Sequence, residues 1–104
     1  MSQTVIYEIT AVVRAELASE YERYMRERHI PDLLKTGYFH GANFTRSSEN
    51  RCRVGYEALN QTALDAYLKN DAERFRADFL AHFPEGVELS REVWQVLHIW
   101  DTDA

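Results

Sequence analysis

Twice along this chain the hydrophobic residues switch from a period of two to a helical period and back again. That double switch restricts the fold more than any other feature. The first alternating stretch runs over residues 5–14. Val5, Tyr7, Ile9, Ala11 and Val13 share one face, and Ile6, Glu8, Thr10, Val12 and Arg14 the other. A helical pattern follows from Leu17. Leu17, Tyr21, Tyr24 and Met25 fall on its inner side, and Glu20, Glu22, Arg23, Arg26 and Glu27 lie mostly outside. Glu22 and Arg26 form an i,i+4 pair in the favourable order. Pro31 lacks a backbone donor and disfavours helix at Ile30, so a break is expected there, with a short second helix over 31–35. Gly37 is placed to cap it. Residues 39–46 then read as a second strand.

The second half repeats the order. Ser47-Ser48-Glu49-Asn50 is a polar turn of hairpin length. A third strand over 51–59 puts Cys52, Val54, Tyr56 and Ala58 on one face. Asn60 or Thr62 can cap a helix whose inner side includes Leu64, Tyr67 and Leu68. Asn70-Asp71 interrupts it, and Asp71 can cap a further helix carrying Phe75, Phe79, Leu80 and Phe83. Pro84-Glu85-Gly86 ends that helix, and a last strand is expected over 91–100. The order βαββαβ predicts an α+β, ferredoxin-like domain spanning residues 1–104, with a four-stranded antiparallel sheet and helices on one face.

Charge and composition exclude several functions. The net charge is −5, from 17 acidic and 12 basic residues, so the basic footprint of a nucleic-acid binder is missing. A single cysteine, Cys52, cannot form an internal disulfide and does not call for an oxidising compartment. No apolar run is long enough to span a membrane, and the N-terminal residues lack a signal-peptide pattern. The expectation is a soluble cytoplasmic protein with no membrane or nucleic-acid partner.

An isolated ferredoxin-like sheet leaves one face in water, so its strands should alternate between apolar and polar. The final stretch does not. Val93, Leu97 and Ile99 fall with Gln95, while Trp94, Val96 and Trp100 fall with His98. Ile6 and Val12, with Phe39 or Phe44, add to the apolar content of the open face. A contiguous apolar surface of this kind usually marks an interface. The pattern therefore predicts a homodimer through the open sheet face, forming a dimeric α+β barrel. A tail that swaps onto a neighbour or packs on its own surface is the competing reading.

Several segments resemble a known family. Ile6-Tyr7-Glu8-Ile9-Thr10, Tyr24-Met25, His29-Ile30-Pro31-Asp32-Leu33-Leu34 and Thr36-Gly37-Tyr38-Phe39 are similar to an uncharacterised bacterial domain of unknown function. That family in turn resembles the dimeric α+β-barrel superfamily, which includes the antibiotic-biosynthesis monooxygenases. The resemblance covers about residues 5–96. One segment departs from it: where the family tends to carry His-Ala-Pro-Arg, this chain reads Asp71-Ala72-Glu73-Arg74, so Arg74 survives and the histidine does not. The superfamily implies two ferredoxin-like subunits joined into a barrel and does not fix a function.

Among candidate functional residues, His29 stands out beside the Pro31 break. It can serve as a general base near neutral pH, or simply satisfy carbonyls freed at the break. Asp32 can orient His29 or cap the helix that starts at Pro31. Tyr7, Tyr21, Tyr24, Tyr56 and Tyr67 can line a pocket for an aromatic ligand between sheet and helices, or form plain core, and Trp94 can join them or lie in the dimer barrel. Arg74 completes the candidate ligand-binding set. Glu8, Glu57 or Arg53 could partner buried tyrosine hydroxyls. The histidines at 29, 40, 82 and 98 lack metal-ligand spacing, and no metal is expected. Nucleotide-binding and hydrolase motifs are absent, so no cofactor is implied. Three functions fit: a dimeric module that binds a small apolar or aromatic ligand, a cofactor-independent monooxygenase- or isomerase-like enzyme using His29, and a purely structural dimer.

Overall fold

Strand β1 (Val5–Val13) is hydrogen-bonded on both sides in a computed structural model that describes residues 3–102. The remaining strands are β2 (Phe39–Ser48), β3 (Arg51–Ala58) and β4 (Val87–Gln95). They form an antiparallel sheet of order β2-β3-β1-β4. The helices α1 (Ala18–Tyr24), α2 (Ile30–Leu34), α3 (Gln61–Asn70) and α4 (Ala72–His82) follow the first and third strands. This is the ferredoxin-like βαββαβ arrangement.

Alternation along the strands decides what meets the helices. Val5, Tyr7, Ala11 and Val13 of β1 are buried, as are Cys52, Val54, Tyr56 and Ala58 of β3. They pack with Tyr21, Met25, Leu33, Leu64, Tyr67, Phe75, Phe79 and Phe83 from the helical layer and its C-terminal turn. Phe39 pairs with Ala58 and Phe44 with Val54, so both belong to this side and add nothing to the open face. A register shift between Phe39 and Gly41 realigns the start of β2. The two outward leucines of the expected helix faces, Leu68 and Leu80, remain exposed.

The expected break at Ile30 does not form. Met25–His29 is a π-helical turn joining α1 directly to α2, and Tyr24, Met25, His29 and Ile30 all keep right-handed helical dihedrals. The reason lies in Pro31. In a regular helix its ring would clash with the carbonyl of Glu27, and a widened turn opens the ladder without ending the helix.

Caps follow the residues closely, with two exceptions. Asn60 is extended and its Oδ1 accepts from the Ala63 amide at 2.8 Å. Asp71 precedes α4 but makes no capping bond, because its carboxylate is taken by Arg74 at 3.0 Å. Asp32 likewise pairs with Lys35 at 3.8 Å and caps nothing.

The last strand is displaced from its expected position. It starts at Val87 and ends at Gln95, where the sequence pattern suggested 91–100. Gly86 sets the early start: its φ of +88° turns the chain, and its carbonyl accepts from the Arg14 amide at 2.8 Å. Beyond Gln95, a bond from the Val96 amide to the Thr4 carbonyl continues the pairing by one step. Leu97, Ile99 and Trp100 then run outside the sheet, 78, 66 and 81% exposed. The two-faced apolarity of the final stretch thus belongs largely to a segment that is not strand.

Gly37 and Gly86 share the same φ of +88°, yet only one is crowded. A Cβ at Gly37 would meet nothing within 4 Å, whereas one at Gly86 would lie 2.5 Å from Leu17 Cδ1. Both alanine substitutions incur the left-handed penalty of about 1 kcal/mol. Gly86→Ala is expected to cost about 1 kcal/mol more, the order of an overpacked contact. Urea unfolding of the two variants side by side checks the difference.

Candidate functional site

The side chains that could do chemistry gather where the first helical segment crosses α4 above β1 and β4. His29 ends the π turn and is buried, at 8% exposure, among the rings of Tyr24, Phe75 and Phe79. The widened turn is what brings it here, by shifting residues that follow it relative to a regular helix.

Behind His29 stands a polar cluster. The Tyr24 hydroxyl donates to Asp78 Oδ2 at 2.7 Å and lies 3.4 Å from His29 Nδ1. Arg28 donates to Asp78 Oδ1 at 2.7 Å, and the His82 ring lies against that of Tyr24, 4.6 Å between centroids. The bond from Tyr24 and the guanidinium of Arg28 hold the Asp78 carboxyl below its ordinary range, despite some burial. Asp78 is therefore an acceptor, and the single phenolic proton of Tyr24 is committed to it. Toward His29 the phenolic oxygen can then only accept. That favours a proton on Nδ1 and leaves Nε2 as the ring's basic nitrogen, through a long and weak contact.

Burial pushes the His29 pKa down to about 4, against an opposing pull from Asp78 and Asp32. The imidazole is neutral at pH 7. Burial also raises the hydroxyls of Tyr21, Tyr24, Tyr56 and Tyr67, so these four stay protonated at pH 7.

In front of His29 lies a cavity of about 140 Å³. Tyr7 and Ile9 of β1, Leu89 of β4, Tyr21, Met25, Tyr67, Phe75 and Phe79 form its apolar walls. Exposed Arg76, Leu80 and Arg91 also line it, so it opens to solvent on their side.

The residues singled out from sequence divide accordingly. His29, Tyr7, Tyr21 and Tyr67 meet at the cavity, and Tyr24 supports His29 from behind. Tyr56 is fully buried between Tyr7 and Phe39 and does not line it. Its hydroxyl has no hydrogen-bond partner among the described residues, so Glu8, Glu57 and Arg53 do not serve it. Those three sit on the opposite sheet face, where Glu8 pairs with Arg53 and Glu57 with His40. Arg74 lies on the surface, bonded to Asp71 and stacked over the Phe75 ring at 4.2 Å. Trp94 pairs with Ile6 on the open face, away from the cavity. Asp78, Arg76 and Arg91 were not singled out. For Arg91 a signal existed: it interrupts the alternation Val87, Leu89, Val93 on the helix-facing side of β4.

Among the described residues, no group of three or more His, Cys, Asp or Glu side chains is arranged to hold a metal. Burial raises the Cys52 thiol, which disfavours the thiolate a nucleophile would need. No helix of the described residues is long and apolar enough to cross a membrane.

The depressed His29 pKa fixes a pH dependence. Below pH 6.5 the unfolded chain takes up a proton that the folded chain refuses until about pH 4. Stability therefore rises with pH through that window, by up to about 3 kcal/mol from this group. Asp78, which is held low, adds its own loss only at more acidic pH. Chemical unfolding at pH 4 to 7 should show the slope in the native chain and a nearly flat profile in His29→Phe.

Comparison with known proteins supports the fold and stops short of an activity. A conserved protein of unknown function from Bacteroides thetaiotaomicron, described as a possible oxidoreductase, superposes with a TM-score of 0.71 at 12% identity, over 92% of this chain and all of that one. A protein from Shewanella oneidensis superposes with a TM-score of 0.54 at 20% identity, over 89% of this chain and 95% of that one. At these identities the likeness is one of fold. No curated protein matches the chain. The family match runs through nearly all of the fold just described: over residues 4–97 the chain belongs to the family named Domain of unknown function, DUF4286.

Proposed function

We propose that this protein binds a small, largely aromatic ligand, about one ring in size, in the cavity before His29. The observation that carries the reading is the cavity itself, about 140 Å³ with aromatic walls and one open side. An apolar protein cavity of about 150 Å³ is large enough to take up benzene. Ligand sites are commonly apolar recesses with a few polar groups, and here His29 and the tyrosine hydroxyls supply those groups.

The state of His29 favours binding over proton transfer. A general base works best with a pKa near the operating pH. An imidazole held near pH 4 is a poor proton acceptor at neutrality and stands in the cavity wall as a neutral ring. The alternative of a cofactor-independent monooxygenase or isomerase would require substrate binding to raise that value.

Benzyl alcohol is a suitable probe. It should bind saturably, and at ten times its Kd it should stabilise the fold by about 1.4 kcal/mol, shifting Tm by several degrees. Leu89→Phe fills the cavity and should abolish the shift. A native chain whose Tm does not respond to the probe overturns the reading.

A second reading concerns assembly, and a separate observation favours it. Trp94 is 48% exposed beside Ile6 on the open sheet face, and Leu97, Ile99 and Trp100 continue the apolar surface past the strand end. A second copy of the chain is proposed to cover it, making a homodimer through that face. Native mass spectrometry should report a dimer for the full chain and a monomer for a chain ending at Val96. A monomeric full chain rejects this assembly.

A further inference from the structure

We infer that the cavity selects ligands carrying a carboxylate, held by Arg76 and Arg91 at its mouth while the ring lies against the aromatic walls. The inference rests on the binding reading above and adds the chemical class of the ligand.

Three observations support it. First, Arg91 stands where the strand pattern calls for an apolar side chain. It faces the helices opposite Ile9, between Leu89 and Val93 in the same register. The side chain is exposed, so the charge reaches water at the edge of the apolar wall. Second, among the described residues seven arginines and lysines form ion pairs within 4 Å, and of the five that form none, Arg23, Arg51, Lys69, Arg76 and Arg91, it is Arg76 and Arg91 that line this cavity. Third, no aspartate or glutamate lines the cavity, so nothing on its wall competes for the guanidinium groups or repels an anion.

The two arginines come from different elements, α4 and β4, and meet at one opening. A guanidinium offers parallel donors that match a carboxylate, and two such groups at a rim can share one anion. Both are exposed, so an unliganded state keeps them hydrated at little cost. The walls behind them carry no acidic side chain, and burial holds Tyr21, Tyr67 and His29 in their uncharged forms. The result is an amphipathic site with an apolar floor and a cationic mouth. Its size admits one ring with a short acidic arm.

The test compares phenylacetate with phenylacetamide, which has the same shape and no charge, by ligand-observed NMR titration at low ionic strength. Native protein should bind the acid about tenfold more tightly than the amide, the range of one charge-assisted pair. In the double variant Arg76→Met, Arg91→Met the two affinities should become equal within about a factor of two, through loss of acid binding while amide binding is retained. The methionines keep the apolar stems that cover the cavity rim. Equal binding of acid and amide by the native protein overturns the carboxylate inference and leaves the cavity reading standing. An acid preference that survives in the double variant also overturns it. Failure of both probes to bind at millimolar concentration removes the cavity reading, and this inference with it.

Discussion

Asp78 joins the two halves of the molecule. It sits on α4, yet its carboxylate receives Tyr24 and Arg28 from the first helical segment, at 2.7 Å each. Carboxylates that accept two charge-assisted or short bonds are strong anchors, and Asp78 is partly shielded. With this anchor in place the first segment and α4 cross at a fixed spacing above β1, and the space left below the crossing is the cavity. His82 adds to the same cluster through the Tyr24 ring and its own bond to the Asp78 carbonyl at 2.9 Å. The π turn is the complementary constraint. It keeps one helical path through Pro31 and turns His29 inward against Phe75 and Phe79.

The sheet separates two kinds of surface because each strand alternates. On the helix side, β1 and β3 contribute apolar residues almost without exception, and the aromatic rings of Tyr7, Tyr56, Phe39 and Tyr67 pack at centroid distances of 5.1 to 6.3 Å. On the open side, Glu8 and Arg53 pair across β1 and β3, and Thr10, Ser90 and Glu92 lie nearby in register. That face is thus polar at its centre, with Ile6 and Trp94 near one end and the exposed Val12 near the other. Exposed ion pairs of this kind contribute little to stability. Their effect is to limit which apolar contacts a partner could make there, and to concentrate them toward the C-terminal end of β4 and the segment after it.

Much of this was legible in the residues. The alternation of Val5 to Val13 and of Cys52 to Ala58 identified the buried faces, since a one-residue slip would have turned every side chain over. Asn60 and Gly37 announced their helix ends through chemistry that leaves few alternatives. The failures have physical causes. Pro31 removes a donor, but the chain had a second response available besides breaking the helix, and local residues do not reveal which packing will reward. The start of β4 depended on Gly86 meeting Arg14 and Leu17, a contact between distant parts of the chain. Residue type alone leaves Trp94 open between cavity and open face, and strand parity places it on the open face, while core depth seals Tyr56. His29 is conspicuous for its place before Pro31 and Tyr7, Tyr21 and Tyr67 for their residue type, and these four line one cavity. Asp78 could not be singled out, because its importance comes from a helix crossing that brings it 50 residues away from Arg28 in sequence to 2.7 Å in space.

The same burial that makes His29 conspicuous restrains what it can do. Moving an imidazole out of water favours its neutral form, and the carboxylates of Asp78 and Asp32 recover only part of the loss. To act as a base at neutral pH, the ring would need more negative charge beside it than this fold provides. Tyr24 cannot supply it, since burial and the bond to Asp78 both keep its hydroxyl protonated. The native polar cluster therefore biases the ring's tautomer through a weak contact and does little to raise its basicity. The hydroxyls of Tyr21 and Tyr67 follow the same rule, buried and protonated beside an apolar space. The charged pair of Asp78 and Arg28 stands outside the cavity, and among the described residues that line it only Arg76 and Arg91 carry a formal charge.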